Sequence, residues 1–313
     1  MASNRRAVPK RAIPRPLSRG VGLAAGAALI SGIAIWLNGL AVGTVPDAAL
    51  FTTLKNAVAA LVLIALAMAL VRPGQLRDIG RNDRLRLVLI GIVGGSVPFV
   101  LFFSGLAMAS APAAAFIQKT LFIWVALLAV PFLGERLGWV QVTALGALVI
   151  GQAILVPPQG ISWGVGETLI AAATLLWAVE VVLAKRVLRT VTSPIVGAAR
   201  MSIGLVFLVG YLAVSGRLGL LATVTPDAWA WVVLTGLVLA AYVTTWYAAL
   251  ERAPASLVTS VLVAGAIITG ILGSVSAGVA PAPEVAAGYL VIGAAAAVFC
   301  LAGLRGPRLA AAA

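Results

Sequence analysis

Residues 145–151 read LGALVIG and residues 287–293 read AGYLVIG, identical at five of seven positions and 142 residues apart. The same spacing relates Ala111-Pro112-Ala113 to Ala253-Pro254-Ala255, so the two pairs align without a gap. Alanine-rich sequence makes the shorter match cheap; the second, in the same register, points to a duplicated unit. Earlier in each half, Trp36 precedes Lys55 and Trp177 precedes Arg200.

What lies between these landmarks is apolar. Of 313 residues, 62% are hydrophobic and 10% charged, against about 25% charged in a soluble domain. Too few polar residues are present to cover a water-facing surface, so the solvent of this chain is lipid. A span needs about 20 apolar residues. On that length, helices are predicted at 21–43, 48–71, 86–107, 112–132, 138–156, 166–184, 195–214, 228–249, 254–275 and 284–304. They are separated by Val45-Pro46-Asp47, Arg72-Pro73-Gly74, Pro157-Pro158, Thr192-Ser193-Pro194, Thr225-Pro226-Asp227 and Pro281-Ala282-Pro283. Five spans fall in each copy. An odd number makes consecutive copies enter the bilayer in opposite directions. The expected fold is an all-α integral membrane protein, with ten transmembrane helices as two inverted five-helix repeats. Its divisions are a disordered basic cytoplasmic tail (1–19), a first repeat (20–157), a second (158–304) and a short cytoplasmic tail (305–313).

The net charge of +13 is a topology signal. Eighteen Lys and Arg residues fall in alternate loops with the two tails, and the other side has only Arg217. By the positive-inside rule both termini are cytoplasmic. The apolar stretch after the basic tail is too long for a signal-peptide core, so no cleavage is expected. The basic residues sit in short loops between apolar runs, and no nucleic-acid partner is expected. The 33 glycines suit close helix packing in lipid, with Gly22/Gly26 and Gly91/Gly95 as spaced examples.

Several chemistries are excluded at once. There is no His and a single Cys, Cys300, which removes His-based triads, Cys/His zinc sites and disulfide scaffolds. No P-loop occurs, so any pumping draws on a gradient. No cofactor and no metal are called for, and a membrane-embedded enzyme has little to work with.

Charges inside spans need a reason. A Lys, Arg or Asp at the bilayer centre costs about 2.5–3.5 kcal/mol on insertion scales. A Leu or Phe there returns about 0.3–0.6 kcal/mol. The residues in question are Lys55, Lys119, Glu180 and Arg200. Lys119, deep in AFIQKTLFIW (115–124), offers an ammonium to an anionic substrate group. Lys55 and Arg200 stand at matching places, near the outer and inner faces respectively, as paired gates or carboxylate contacts or as snorkelling surface cations. Glu180 is either a proton-titrating carboxylate or a structural partner of Arg200 or Lys119. Trp36, Trp124 and Trp177 lie well inside spans, where they line a cavity or pack the core. Tyr242 and Trp246, with Thr244 and Thr245, form a polar-aromatic patch facing the cavity, Trp246 being also near enough to an end for an interfacial belt. Asn38 completes the candidate set. Gly94-Gly95 and Pro98 interrupt the third span, although the eighth has no matching proline. Glu135 is expected to cap a helix N-terminus at a cytoplasmic turn, with gating as the alternative.

Taken in order, LGERL (133–137) with LGALVIG, LLWAVEVVLAKR (175–186) and ALERAPASLV (249–258) resemble the EamA-type transporters of the drug/metabolite transporter superfamily, over residues 21–304. The resemblance implies a bacterial cytoplasmic-membrane carrier built of two such five-helix repeats, often an exporter of metabolites such as amino acids. Two departures stand out: Ala277 where a second Glu135 belongs, with Glu284 too late to replace it, and Lys55 where members often carry Arg. Three buried cations against one acid favour carboxylate-bearing substrates. The expectation is a secondary active exporter of a small metabolite working by alternating access. Its alternatives are a lipophilic-drug exporter and a non-transporting membrane scaffold or receptor. The partners are the small-molecule substrate and the lipid bilayer, with room for a coupling proton and a homodimer.

Overall fold

A computed structural model describes residues 17–156 and 163–305, without the side chains of Ala111, Pro112 and Arg305. The expected disorder of the N-terminal tail falls largely outside these residues. So do the Pro157-Pro158 break and nearly all of the C-terminal tail. Fourteen α-helices follow in order: α1 (Leu17–Ala41), α2 (Ala48–Leu70), α3 (Pro73–Arg77), α4 (Arg81–Gly95), α5 (Val97–Leu106), α6 (Ala111–Lys119) and α7 (Leu121–Leu133). Then come α8 (Trp139–Leu155), α9 (Val165–Val187), α10 (Ser193–Val214), α11 (Pro226–Arg252), α12 (Ala255–Leu262), α13 (Gly265–Ala277) and α14 (Pro283–Arg305). Among the described residues nine helical stretches are long and apolar enough to cross a membrane, and α8 is a shorter apolar helix of 17 residues. At 1.5 Å per residue α8 runs about 25 Å, within reach of a hydrocarbon core about 30 Å thick. The result is ten passes in two inverted five-helix repeats.

Three of the passes are broken. The third divides at Ser96 into α4 and α5, as Gly94-Gly95 and Pro98 predict. The eighth pass, α11, is continuous over 27 residues. The symmetric interruption lies instead in the fourth pass of each repeat, at Thr120 between α6 and α7 and at Val263-Ala264 between α12 and α13. Neither was anticipated, because neither carries a proline at the break. Both are made by tightened i→i+3 turns. Thr120 N–H donates to the Ile117 carbonyl (3.1 Å), and Ala264 N–H to the Val261 carbonyl (3.0 Å).

Small residues set the helix spacing. Gly91 faces Ile203, and Gly95 meets Gly204 backbone to backbone, where a Cβ on either glycine would lie under 3 Å from the other. Gly32 and Gly265 bring α1 equally close to α13. The Gly22/Gly26 pair does not play this part: nothing approaches Gly22 within 4 Å, and the close contacts of α1 fall at Gly20 and Gly32. Gly204→Val is therefore expected to pry α4 from α10 at a cost of about 1–3 kcal/mol, read as a lower melting temperature in detergent. Gly210→Val, on an open stretch of the same helix, should leave it unchanged.

Candidate functional site

Proline builds the first polar centre. Pro98 has no N–H, so the Gly94 carbonyl four residues before it loses its helical partner. That oxygen points across to the second repeat, where the Trp177 indole N–H donates to it at 3.2 Å and the Arg200 Nη2 at 2.9 Å. Trp177 is held on the other side by Phe99 and Phe102, with ring centroids 5.4 and 5.7 Å away. Arg200 Nε lies 3.8 Å from Glu180 Oε1, which also accepts from the Tyr247 hydroxyl at 2.5 Å. Glu180 is 3% exposed and Tyr247 1%. No space is left beside them, since a Cβ on Gly94 would overlap the Glu180 side chain. Of the two expected structural partners for Glu180, the fold selects Arg200. Trp177, Glu180 and Arg200 thus form one cluster, Trp177 and Glu180 buried and Arg200 partly so, in which the acid and the guanidinium neutralise each other.

Tyr247 is the member that sequence reasoning missed. Its signal was depth: it lies about 8 Å before the end of α11, and Glu180 about 10 Å before the end of α9. Those two helices run parallel in an antiparallel three-helix succession, so the two groups meet at one level.

The second centre is on the first repeat. The Lys55 ammonium donates to Asn38 Oδ1 at 3.0 Å and sits 5.2 Å from the Phe51 ring centroid. Lys55 and Arg200 each lie about two turns into their helices, α2 and α10. They nevertheless take different partners, and no contact joins them. Nearby, the Trp36 indole N–H donates to the Ser276 hydroxyl at 3.0 Å, linking α1 to α13.

The third centre is the break in the fourth pass. Lys119 is the last residue of α6 and, among the described residues, makes no hydrogen bond or ion pair. Beside it, the Thr120 hydroxyl donates to the Ile117 carbonyl (2.6 Å) and accepts from the Trp124 indole N–H (3.1 Å). Trp124 is exposed. On α11, Tyr242 and Trp246 stack with centroids 6.0 Å apart. Trp246 is buried in the core, so its belt reading falls away. Thr244 faces a cavity of about 370 Å³ that also touches Gln75, Thr192 and Ser193.

The arginine-rich turns do more than mark topology. Lys185 Nζ donates to the Leu250 (2.5 Å) and Ala253 (2.7 Å) carbonyls at the end of α11. Arg186 donates to the Phe132 carbonyl at 2.6 Å at the end of α7. Cations on terminal carbonyls also complement the helix dipole. Among the described residues no group of His, Cys, Asp and Glu is placed to hold a metal ion.

No curated protein matches this chain. A solved crystal structure, described only as a protein, has the same fold, with a TM-score of 0.75 at 21% identity over 92% of this chain and 99% of that one. The model of the EamA-like transporter family matches twice, over residues 18–156 and again over 164–301. With two inverted five-helix halves and a match to each, the chain belongs to the EamA-like transporter family, and it is a multi-pass membrane transporter.

Proposed function

We propose that the protein is a secondary active carrier exporting a small carboxylate-bearing metabolite, an amino acid or a close relative, by alternating access. The observation that carries this reading is a pair of ammonium groups left without a carboxylate. Glu180 neutralises Arg200, whereas Lys55 has the Asn38 amide and the Phe51 ring and Lys119 no partner among the described residues. Because α2 and α6 enter from the same face, Lys55 lies about 10 Å and Lys119 about 12 Å below it. Two cations at one depth in a medium that penalises each of them favour an anionic or zwitterionic ligand. Trp36 and Asn38 near the outer end of α1, with Trp124 on α7, supply polar edges and ring faces on this side. Tyr242 and Trp246 supply ring faces deeper in, towards the inner end of α11. Residues 20–157 and 158–304 act as the two halves of the cycle. The cytoplasmic membrane, with both termini inside, is the setting that the cation bias of the loops supports.

The test is flux into proteoliposomes, with substrates first screened by thermal shift against metabolites. Carboxylates should compete for transport and quaternary amines should not. Competition by the amines alone would favour the lipophilic-drug exporter, and no flux at all a scaffold or receptor. A coupling proton would exchange on Glu180, the one acid well inside a span. An imposed pH gradient should then drive uptake in the wild type and fail to drive it in Glu180→Gln. Wild-type flux indifferent to the gradient would remove proton coupling.

A further inference from the structure

The two ends of the bundle are tied together by different chemistry. At one end Gly134 terminates α7 in the left-handed conformation, φ 70°, which glycine adopts without penalty. The turn delivers Glu135 onto the N-terminus of α12, in the other repeat. Its carboxylate accepts from the Ala255 N–H (2.5 Å), the Ser256 N–H (3.1 Å) and the Ser256 hydroxyl (2.5 Å), and is buried there. That helix needs an outside acceptor. Its first N–H groups have no intrahelical partner, and Pro254 at its cap offers no side-chain oxygen. Other ties at this end also cross between repeats: Arg186 on the Phe132 carbonyl, Arg189 on that of Leu133, and the Thr190 hydroxyl on Asp83.

The opposite end repeats the turn without the carboxylate. Gly278 ends α13 with φ 65° as Gly134 ends α7, so the structure puts Val279, and not Ala277 as the sequence spacing had it, in the place of Glu135. The helix equivalent to α12 is α6, and it caps itself: Ser110 Oγ accepts from the Ala113 N–H at 3.3 Å. Among the described residues, the ties between repeats at this end are the Trp36 indole on Ser276 and an Arg217–Asp47 ion pair (3.1 Å). That pair is open to solvent and so worth little, which leaves the two gates of an otherwise mirrored molecule held unequally.

We propose that Glu135 is a one-sided latch, holding the LGERL end shut and leaving the opposite end to open first. This rests on the transport reading above. Its test uses no substrate, so the two fail separately. Charge-assisted hydrogen bonds are roughly twice as strong as neutral ones, so removing the charge should weaken this gate selectively.

The experiment measures maleimide labelling of purified protein in a Cys300→Ala background, with one reporter cysteine at a time. Ser260→Cys lies one turn inward of Ser256, where the native side chain is fully buried. Ser276→Cys lies near the opposite end and is exposed. Glu135→Gln is expected to raise labelling at position 260 by about tenfold, the change that 1.4 kcal/mol makes in a two-state equilibrium, and to lower it at 276. Ser256→Ala, which keeps both backbone contacts, should shift both reporters the same way by less. If Glu135→Gln fails to accumulate, Ser256→Ala carries the test. Position 260 staying closed in the variants that fold would overturn the latch. So would both reporters brightening together as the melting temperature falls, which would make Glu135 a structural cap alone.

Discussion

Lys119→Ala is expected to cut flux at subsaturating substrate by about 10- to 100-fold while the protein still inserts and melts at or above the wild-type temperature. The two halves of that result have separate causes. A hydrogen bond to a charged group is worth about 1.5–3 kcal/mol, which sets the loss in substrate affinity. Stability moves the other way, because Lys119 has no protein partner among the described residues whose contact could be lost. Removing an ammonium from inside a span relieves a penalty instead. Radiolabelled uptake into proteoliposomes measures the first half and a thiol-dye melt the second. Wild-type flux in the variant would take Lys119 out of the site. A large fall in melting temperature would show that the ammonium has a structural partner.

Arg200→Ala should do the reverse, failing in stability before it fails in transport. It strips the guanidinium from Glu180 and from the Gly94 carbonyl together. Removing one partner of a buried pair costs about 3–5 kcal/mol, since an uncompensated charge stays behind. The expected outcome is poor accumulation or a sharply lower melting temperature. Glu180→Gln should cost less, because Tyr247 and Arg200 keep polar partners. The double variant Arg200→Met with Glu180→Gln should recover much of the loss, as replacing both charges removes the unpaired one. Arg200→Ala melting within about 2 °C of the wild type would mean that water reaches the pair, and Glu180 would then stand in the pathway.

The contrast between the two residues shows where sequence reasoning stops. Lys55, Lys119, Glu180 and Arg200 are equally conspicuous as charges inside apolar runs, and the cost of burial singles them out without any fold. Which of them neutralise one another depends on contacts such as Glu180 to Tyr247, 67 residues apart, and Arg200 to Gly94, 106 apart. The interruption at Gly94-Gly95 and Pro98 was visible, but the donors to the carbonyl it frees, Trp177 and Arg200, lie on helices whose placement no local pattern encodes. The breaks at Thr120 and Val263-Ala264 were less visible still, because a turn tightened by one residue needs no special side chain. Glu135 was legible as a cap, but the capped helix belongs to the other repeat, 120 residues on.

Span number, inverted duplication and family are properties of one-dimensional pattern: apolar length against bilayer thickness, loop charge, and a repeated motif. Those the chain carried in its order of residues, because lipid leaves a backbone little choice but helix. Pairing was decided only when the helices packed. A hydrogen bond between side chains on different spans depends on depth, rotation and close approach together. The Gly91/Gly95 spacing announced a close approach, but that it meets Gly204, and that the like-spaced Gly22/Gly26 meets nothing so close, only the packing decided.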